Sequence, residues 1–116
     1  MNLVIPVPIG AARKKERGYN QAALLAWPLA VGSAIPYCSQ GLIKTRDTPS
    51  QVGLDSQQRR ANVAGAFQAR PRMVTGKCVL VVDDVTTSGA TLEVCSSALL
   101  QAGASSVYAL TLARAI

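Results

Sequence analysis

Residues 79–91 combine residue types that suit a phosphorylated sugar, and they read Val-Leu-Val-Val-Asp-Asp-Val-Thr-Thr-Ser-Gly-Ala-Thr. Two adjacent carboxylates, Asp83 and Asp84, follow an apolar run and precede a loop rich in hydroxyl groups. Such a loop at the start of a helix offers backbone N–H groups, hydroxyl donors and a positive helix end to a phosphate. Carboxylates beside it would accept hydrogen bonds from hydroxyl groups such as those of a ribose. We therefore predict a sugar-phosphate site, against the alternative of an ordinary loop with solvated acids and a polar cap.

The elements that must position this loop are a strand before it and a helix after it. Residues 79–82 form a short apolar run rich in β-branched residues, which is typical of a strand buried on both faces. Residues 91–102 change to the helical period, and residues 107–112 form a second apolar run. The strands of such a strand-helix-strand unit are parallel, and ligands gather at their carboxyl ends. We expect Asp83 and Asp84 at that end.

The helix after the loop has its own boundary signals. Thr87 and Ser88 are candidates for its N-cap, and Gly103 suits its stop. Cys95 falls on its apolar face, so we expect a core residue and not a reactive thiol. Two competing phosphate motifs do not fit, because the sequence has no G-x-G-x-x-G after a strand and no G-x-x-x-x-G-K-[ST].

The rest of the chain supplies further elements of an α/β fold. The patterns predict strands at residues 2–7, 41–45 and 66–69, and helices at residues 20–30 and 56–61. Pro28 should kink or end the first of these helices, since proline removes a helix hydrogen bond. Residues 70–72 are interpreted as a linker, and the polar stretch of residues 48–62 as either functional or disordered.

Length and composition indicate one domain over residues 1–116, with a core of Ala, Val and Leu. We expect a cytoplasmic protein without a membrane segment, because no apolar run approaches spanning length and no signal peptide is visible. The three cysteines are odd in number and widely spaced, which argues against a disulfide framework and a zinc knuckle. The absence of histidine excludes imidazole catalysis and histidine–metal sites.

The formal charge of +6 is unevenly distributed. Residues 1–78 hold eleven basic and three acidic residues, a balance of +8, whereas residues 79–116 hold one and three, a balance of −2. The first part must therefore supply any cations that meet a polyphosphate, and Arg13 and Arg17 are the candidates because guanidinium groups match phosphate oxygens. Weak association with nucleic acid is expected, but specific reading is not, because the basic residues are not interleaved with aromatic ones.

Three segments resemble one known family. The run VLVVDDVTTSGAT at residues 79–91 resembles the phosphoribosyl-pyrophosphate (PRPP) signature of type I phosphoribosyltransferases. Residues 5–25 and 46–67 resemble the start and the middle of the ComF (GntX) family domain; they read IPVPIGAARKKERGYNQAALL and RDTPSQVGLDSQQRRANVAGAF. The resemblance implies a type I phosphoribosyltransferase-like α/β fold, in which helices flank a central, mainly parallel sheet. The zinc ribbon common before this domain is missing, so we expect an N-terminally truncated domain with a reduced or missing hood region.

The resemblance also implies a role for each part of the site. Asp83 and Asp84 would hold the ribose hydroxyls of PRPP, and the turn near Pro8, Ile9 and Gly10 would approach its pyrophosphate. The 5′-phosphate would be cradled by six consecutive residues: Thr86, Thr87, Ser88, Gly89, Ala90 and Thr91. The segment of residues 46–62 would be a flap over the active site. Arg46 in this segment would reach the diphosphate when the flap closes, with a solvated surface loop as the alternative.

The implied reaction transfers the phosphoribosyl group of PRPP to an unidentified nitrogen acceptor and releases pyrophosphate. Carboxylates near the ring and cations near the diphosphate would stabilise its oxocarbenium-like transition state. The expected cofactor is Mg²⁺, held mainly through PRPP oxygens and water, with no metal site of the chain's own. The alternatives are a non-catalytic PRPP- or nucleotide-binding module linked to DNA uptake or utilisation, and a fragment that needs a partner chain. Self-association is also expected, because an incomplete hood would expose apolar surface.

Overall fold

The chain folds into strands that alternate with helices. The computed structural model describes residues 1–9, 20–46, 53–86 and 89–114. Within these ranges the strands are β1 (Leu3–Pro6), β2 (Leu42–Lys44), β3 (Phe67–Ala69), β4 (Cys78–Thr86) and β5 (Ser106–Arg114). The helices are α1 (Gln21–Ser33), α2 (Ser56–Val63), α3 (Pro71–Val74) and α4 (Ala90–Gln101).

Three of the strands form a parallel sheet in the order β1-β4-β5. Leu3 of β1 lies opposite Val79 of β4. On its other edge β1 bonds to the segment around Tyr37, where the N–H of Val4 donates to the carbonyl oxygen of Pro36 at 2.9 Å. β1 therefore has backbone partners on both sides, as expected for an interior strand. The prediction of a parallel strand-helix-strand unit over β4, α4 and β5 is confirmed.

Side chains of the sheet enter two separate cores because they alternate between its faces. On one face, Val4 and Val82 pack against Ala26 and Ala30 of α1, whose small side chains let the helix lie close to the strands. On the other face, α4 and the β2–β3 pair cover a larger cluster. The fully buried members of that cluster are Ile5, Leu42, Val63, Ala66, Val74, Val79, Val81, Cys95 and Leu99. The sheet is thus flanked by helices on both faces.

β2 and β3 pair antiparallel as a second, two-stranded sheet. Both β3 and α2 pack against α4. Gly41, immediately before β2, is buried, and a Cβ atom there would lie 2.5 Å from Cδ1 of Ile5. Only glycine allows this approach without displacing Ile5, so Gly41 fixes how closely β2 packs on the main core.

The structure corrects three boundary predictions. α1 runs through Pro28 to Ser33, so the prediction of a helix that stops near residue 30 is wrong. Pro28 is exposed, where solvent can replace the lost hydrogen bond, and the left-handed Ala34 (φ 57°) ends the helix instead. Residues 70–72 are not a linker, because Pro71 begins α3, where its missing N–H costs nothing. The predicted strand of residues 79–82 continues to Thr86.

Among the helices of the described residues, none combines the length and the apolar character that crossing a bilayer requires.

Candidate active site at the carboxyl edge of the sheet

The acidic pair lies within the final part of β4. Both neighbouring strands flank it there: the N–H of Val7 donates to the carbonyl oxygen of Val82 at 2.8 Å, and Asp83 lies opposite Thr111 of β5. Thr111 also donates its hydroxyl to the carbonyl oxygen of Asp84 at 3.4 Å. Because the three strands are parallel, Asp83 and Asp84 lie at the carboxyl edge of the sheet, where α/β folds bind ligands.

Asp83 lies in surroundings that disfavour its charge. Burial, followed by the side-chain hydrogen bond and the like charge of Asp84, raises the pKa of this carboxyl to about 7. Two influences oppose the rise: the backbone N–H of Asp84 donates to Oδ1 of Asp83 at 2.9 Å, and the charge of Lys44 favours the ionised form. The carboxyl therefore keeps its proton to a higher pH than an exposed aspartate does, and donors supplied by a ligand would favour the carboxylate.

The helix that follows the acids begins with a glycine. Gly89 is the N-cap residue of α4 and has a φ of 78°, which side-chain-bearing residues rarely adopt. The prediction of Thr87 or Ser88 as the N-cap is therefore wrong. The carbonyl oxygen of Gly89 accepts the N–H of Glu93 at 2.8 Å, so the helix is regular from its first turn. Because glycine has no side-chain acceptor, the positive end of this helix suits an anion from outside it.

The end of β1 is joined to the start of α1 by a residue that the sequence pattern did not single out. Pro8 and Ile9 are half-buried beside the end of β4. Asn20, the N-cap of α1, donates from Nδ2 to the carbonyl oxygen of Val7 at 3.1 Å and accepts the N–H of Ala22 at 2.9 Å. One amide thus joins the start of α1 to the strand end that precedes the predicted pyrophosphate turn. A polar residue directly before an apolar helical run was the available signal.

Lys44 is a second site residue that sequence reasoning missed. It ends β2 opposite Phe67, and its ammonium lies 5.6 Å from the centroid of the Phe67 ring. Burial raises the pKa of Cys95, and the charge of Lys44 opposes that rise, as it does for Asp83. The structure thus brings a cation from β2 close enough to influence Asp83 and Cys95.

The side chain of Arg46 donates hydrogen bonds to backbone carbonyl groups. Its Nη2 donates to the carbonyl oxygens of Asn62 at 3.0 Å and Ala64 at 2.8 Å. These carbonyls lie at the C-terminal end of α2, where a cation also complements the helix dipole. Arg46 therefore joins the two ends of the predicted flap, residues 46–62, and its contact with a diphosphate stays a prediction.

Ala90 is buried at the first position of α4, and Thr91 is half-buried beside it. The side chain of Thr86 and several other predicted site residues lie outside what the structure describes: Gly10, Arg13, Arg17, Thr87 and Ser88. In the described part of the chain, no three His, Cys, Asp or Glu side chains gather as a metal site. Cys95 is fully buried and packs with the α4 core, so its prediction as a core residue is confirmed.

Comparison with known proteins gives a consistent family. The phosphoribosyl transferase domain matches residues 32–116. The chain is 34% identical to the DNA utilization protein YhgH of Escherichia coli O157:H7 and 36% identical to competence protein F of Haemophilus influenzae. Each match covers 97% of this chain but only 49% and 50% of those relatives, so the chain spans about half their length.

Two solved structures share this fold. The glutamine PRPP amidotransferase of Bacillus subtilis, complexed with ADP and GMP, matches with a TM-score of 0.63 and 28% identity over 95% of this chain and 22% of its own. A structure described as the allosteric regulatory enzyme of purine biosynthesis matches with a TM-score of 0.61 and 27% identity over 95% of this chain and 21% of its own. The predicted type I phosphoribosyltransferase fold is confirmed. The chain belongs to the phosphoribosyl transferase domain family and, within it, to the ComF group of competence and DNA-utilization proteins.

Proposed function

We propose that this chain binds PRPP at the carboxyl edge of the sheet and transfers its phosphoribosyl group to a nitrogen acceptor. The observation that carries the proposal is the acidic pair at the end of β4, followed directly by the glycine-capped start of α4. A carboxylate pair suits two ribose hydroxyls, and a helix N-terminus suits a phosphate. The substrate is supported by the family and by the likeness to the glutamine PRPP amidotransferase.

The neighbouring elements suit the other end of such a substrate. β1 lies beside β4, so the turn at Pro8 and Ile9 is available to the pyrophosphate on C1 of the ribose. Lys44 would complement the negative charge of the leaving group from the β2 side. In this proposal, Asp83 and Asp84 stabilise the positive charge that develops on the ribose ring, and Lys44 stabilises the negative charge of the departing pyrophosphate.

The protonation of Asp83 is part of this proposal. The carboxyl can accept a hydrogen bond from a ribose hydroxyl through both oxygens only when it is ionised. Because its pKa is raised to about 7, binding of the sugar would favour loss of its proton. Mg²⁺, when bound mainly through diphosphate oxygens and water, would neutralise the charge of the leaving group.

Calorimetric titration of the chain with PRPP and Mg²⁺ tests the binding site. We expect the Asp83→Asn/Asp84→Asn double variant to bind at least tenfold more weakly, because amides cannot replace both anionic acceptors. Glu93→Gln is the matched control, since Glu93 is exposed on the helix that follows the acidic pair and its ion pair with Arg60 is long, at 3.8 Å. Equal binding by the wild type and the double variant would contradict the proposed site.

A non-catalytic PRPP-binding module in DNA utilisation is the second candidate function. It is favoured by the likeness to a DNA utilization protein and to competence protein F. Release of pyrophosphate from PRPP in the presence of ammonia or simple amines separates the two candidates. Binding without any acceptor-dependent release supports the module, and release that Asp83→Asn abolishes supports the transferase.

A further inference from the structure

β5 presents a sheet edge that no strand of the described residues covers. The order β1-β4-β5 leaves this nine-residue strand at the end of the sheet. Between Ser106 and Ala113 it contains neither a charged residue nor a proline, which are the usual means by which edge strands avoid pairing. An edge of this length and composition is a template for one further strand.

The side chains of β5 indicate that a partner also covers one face. Tyr108 lies opposite Leu80, and Leu110 lies opposite Val82. Leu80 and Val82 pack against the core beneath α1, but Tyr108 and Leu110 remain 56% and 37% exposed. α1 therefore covers β1 and β4 and leaves an apolar strip on β5. Tyrosine is a frequent anchor of protein interfaces.

We propose that β5 pairs antiparallel with β5 of a second copy, which joins two three-stranded sheets into one six-stranded sheet. A two-fold axis perpendicular to the sheet relates the copies and keeps the α1 face of both on the same side. Tyr108 and Leu110 of the two copies then contact one another across the junction.

The charge distribution favours a second copy over a nucleic acid. β5 carries no charged residue between Ser106 and Ala113, and eleven of the twelve basic residues lie within residues 1–78, so two uncharged edges meet without repulsion. A polyanion would instead bind the basic part of the chain. α1, which lies on the same side of the sheet as Tyr108 and Leu110, has three further exposed apolar side chains: Leu24, Trp27 and Val31. Pairing of one strand buries less than the roughly 800 Å² per partner of a standard interface, so we expect roughly micromolar dissociation.

Sedimentation equilibrium of the full chain across the micromolar range tests this pairing. The mass should rise with concentration from 12.1 kDa to twice that value and no further. Leu110→Lys should weaken the dimer at least tenfold. Leu100→Lys should not, because Leu100 is equally apolar and 51% exposed but lies on α4, on the other face of the sheet.

Amide hydrogen exchange gives a readout that needs no variant. The amides of residues 106–110 should exchange more slowly as the concentration rises, while those of α1 change less. Three results would overturn the proposal: a mass of 12.1 kDa at every concentration, growth beyond a dimer, or equal weakening by both lysine substitutions. None of them bears on PRPP binding, so this inference and the proposed function can fail separately.

Discussion

Replacing Asp83 by Asn should make the stability of the protein less dependent on pH. In the unfolded chain this carboxyl loses its proton near pH 4, but in the folded protein its pKa is about 7. Between these values the folded state holds the extra proton. The stability that Asp83 contributes is therefore complete below pH 4 and is lost as the pH rises through about 7.

The size of the effect follows from the shift. A displacement from 3.8 to about 7 corresponds to at most about 4 kcal/mol, at 1.36 kcal/mol per pKa unit. Asp83 is only partly buried, so solvent screening reduces this value, and we expect about 1–3 kcal/mol. The free energy of unfolding of Asp83→Asn, minus that of the wild type, should increase by this amount between pH 4 and pH 8.

Urea unfolding followed by circular dichroism at several pH values measures this difference. Glu93→Gln is the control, because it removes one exposed carboxylate from the same region, and its difference from the wild type should stay nearly flat. A flat difference for Asp83→Asn as well would refute the reasoning, since it would mean that the empty site holds Asp83 ionised at no cost.

Three further substitutions test single contacts. Lys44→Met should raise the pKa of Asp83 further, whereas the exposed Lys77→Met should leave it unchanged, and carboxyl titration by NMR measures both. An unchanged pKa of Asp83 in Lys44→Met would contradict the assignment of Lys44 to the site. Asn20→Ala should cost about 1 kcal/mol in urea unfolding because the α1 cap is lost, and an unchanged midpoint would contradict that role. Gly41→Ala should cost about 1–3 kcal/mol by crowding Ile5. Gly32→Ala should stabilise the protein, because Gly32 lies in a helix and the added methyl group would meet open space. Stability changes of the same sign for Gly32→Ala and Gly41→Ala would contradict the packing described for Gly41.

Local patterns were enough to predict the strand-helix-strand unit around the acidic pair. Its signals lie within neighbouring residues: the apolar run before Asp83, the helical period after Gly89, and Gly103, which follows α4 with a φ of 104°. The length of β4 could not be predicted, because the backbone ladder to β5 continues past the apolar run, which ends at Val82, to Thr86. Strand pairing of that kind depends on a distant segment and leaves no local trace.

The position of Lys44 near Asp83 could not be predicted from the sequence for a related reason. Its charge reaches Asp83 only because the β2–β3 pair docks on α4, which joins parts of the chain far apart in sequence. The predicted end of α1 was wrong for a different reason. Pro28 removes one hydrogen bond at an exposed position, a small loss beside the packing of Ala26 and Ala30 on the sheet.

One helix serves two purposes in this fold. α4 begins beside the acidic pair, and along its length it contacts α2, which belongs to the predicted flap of residues 46–62, and β3, which follows that segment. A molecule bound at the first turn of α4 would therefore also restrain α2, so binding and the position of the flap would share a coupling free energy. The coupling is reciprocal: a substitution that loosens β3 on α4 should weaken affinity at the distant carboxylates without touching them.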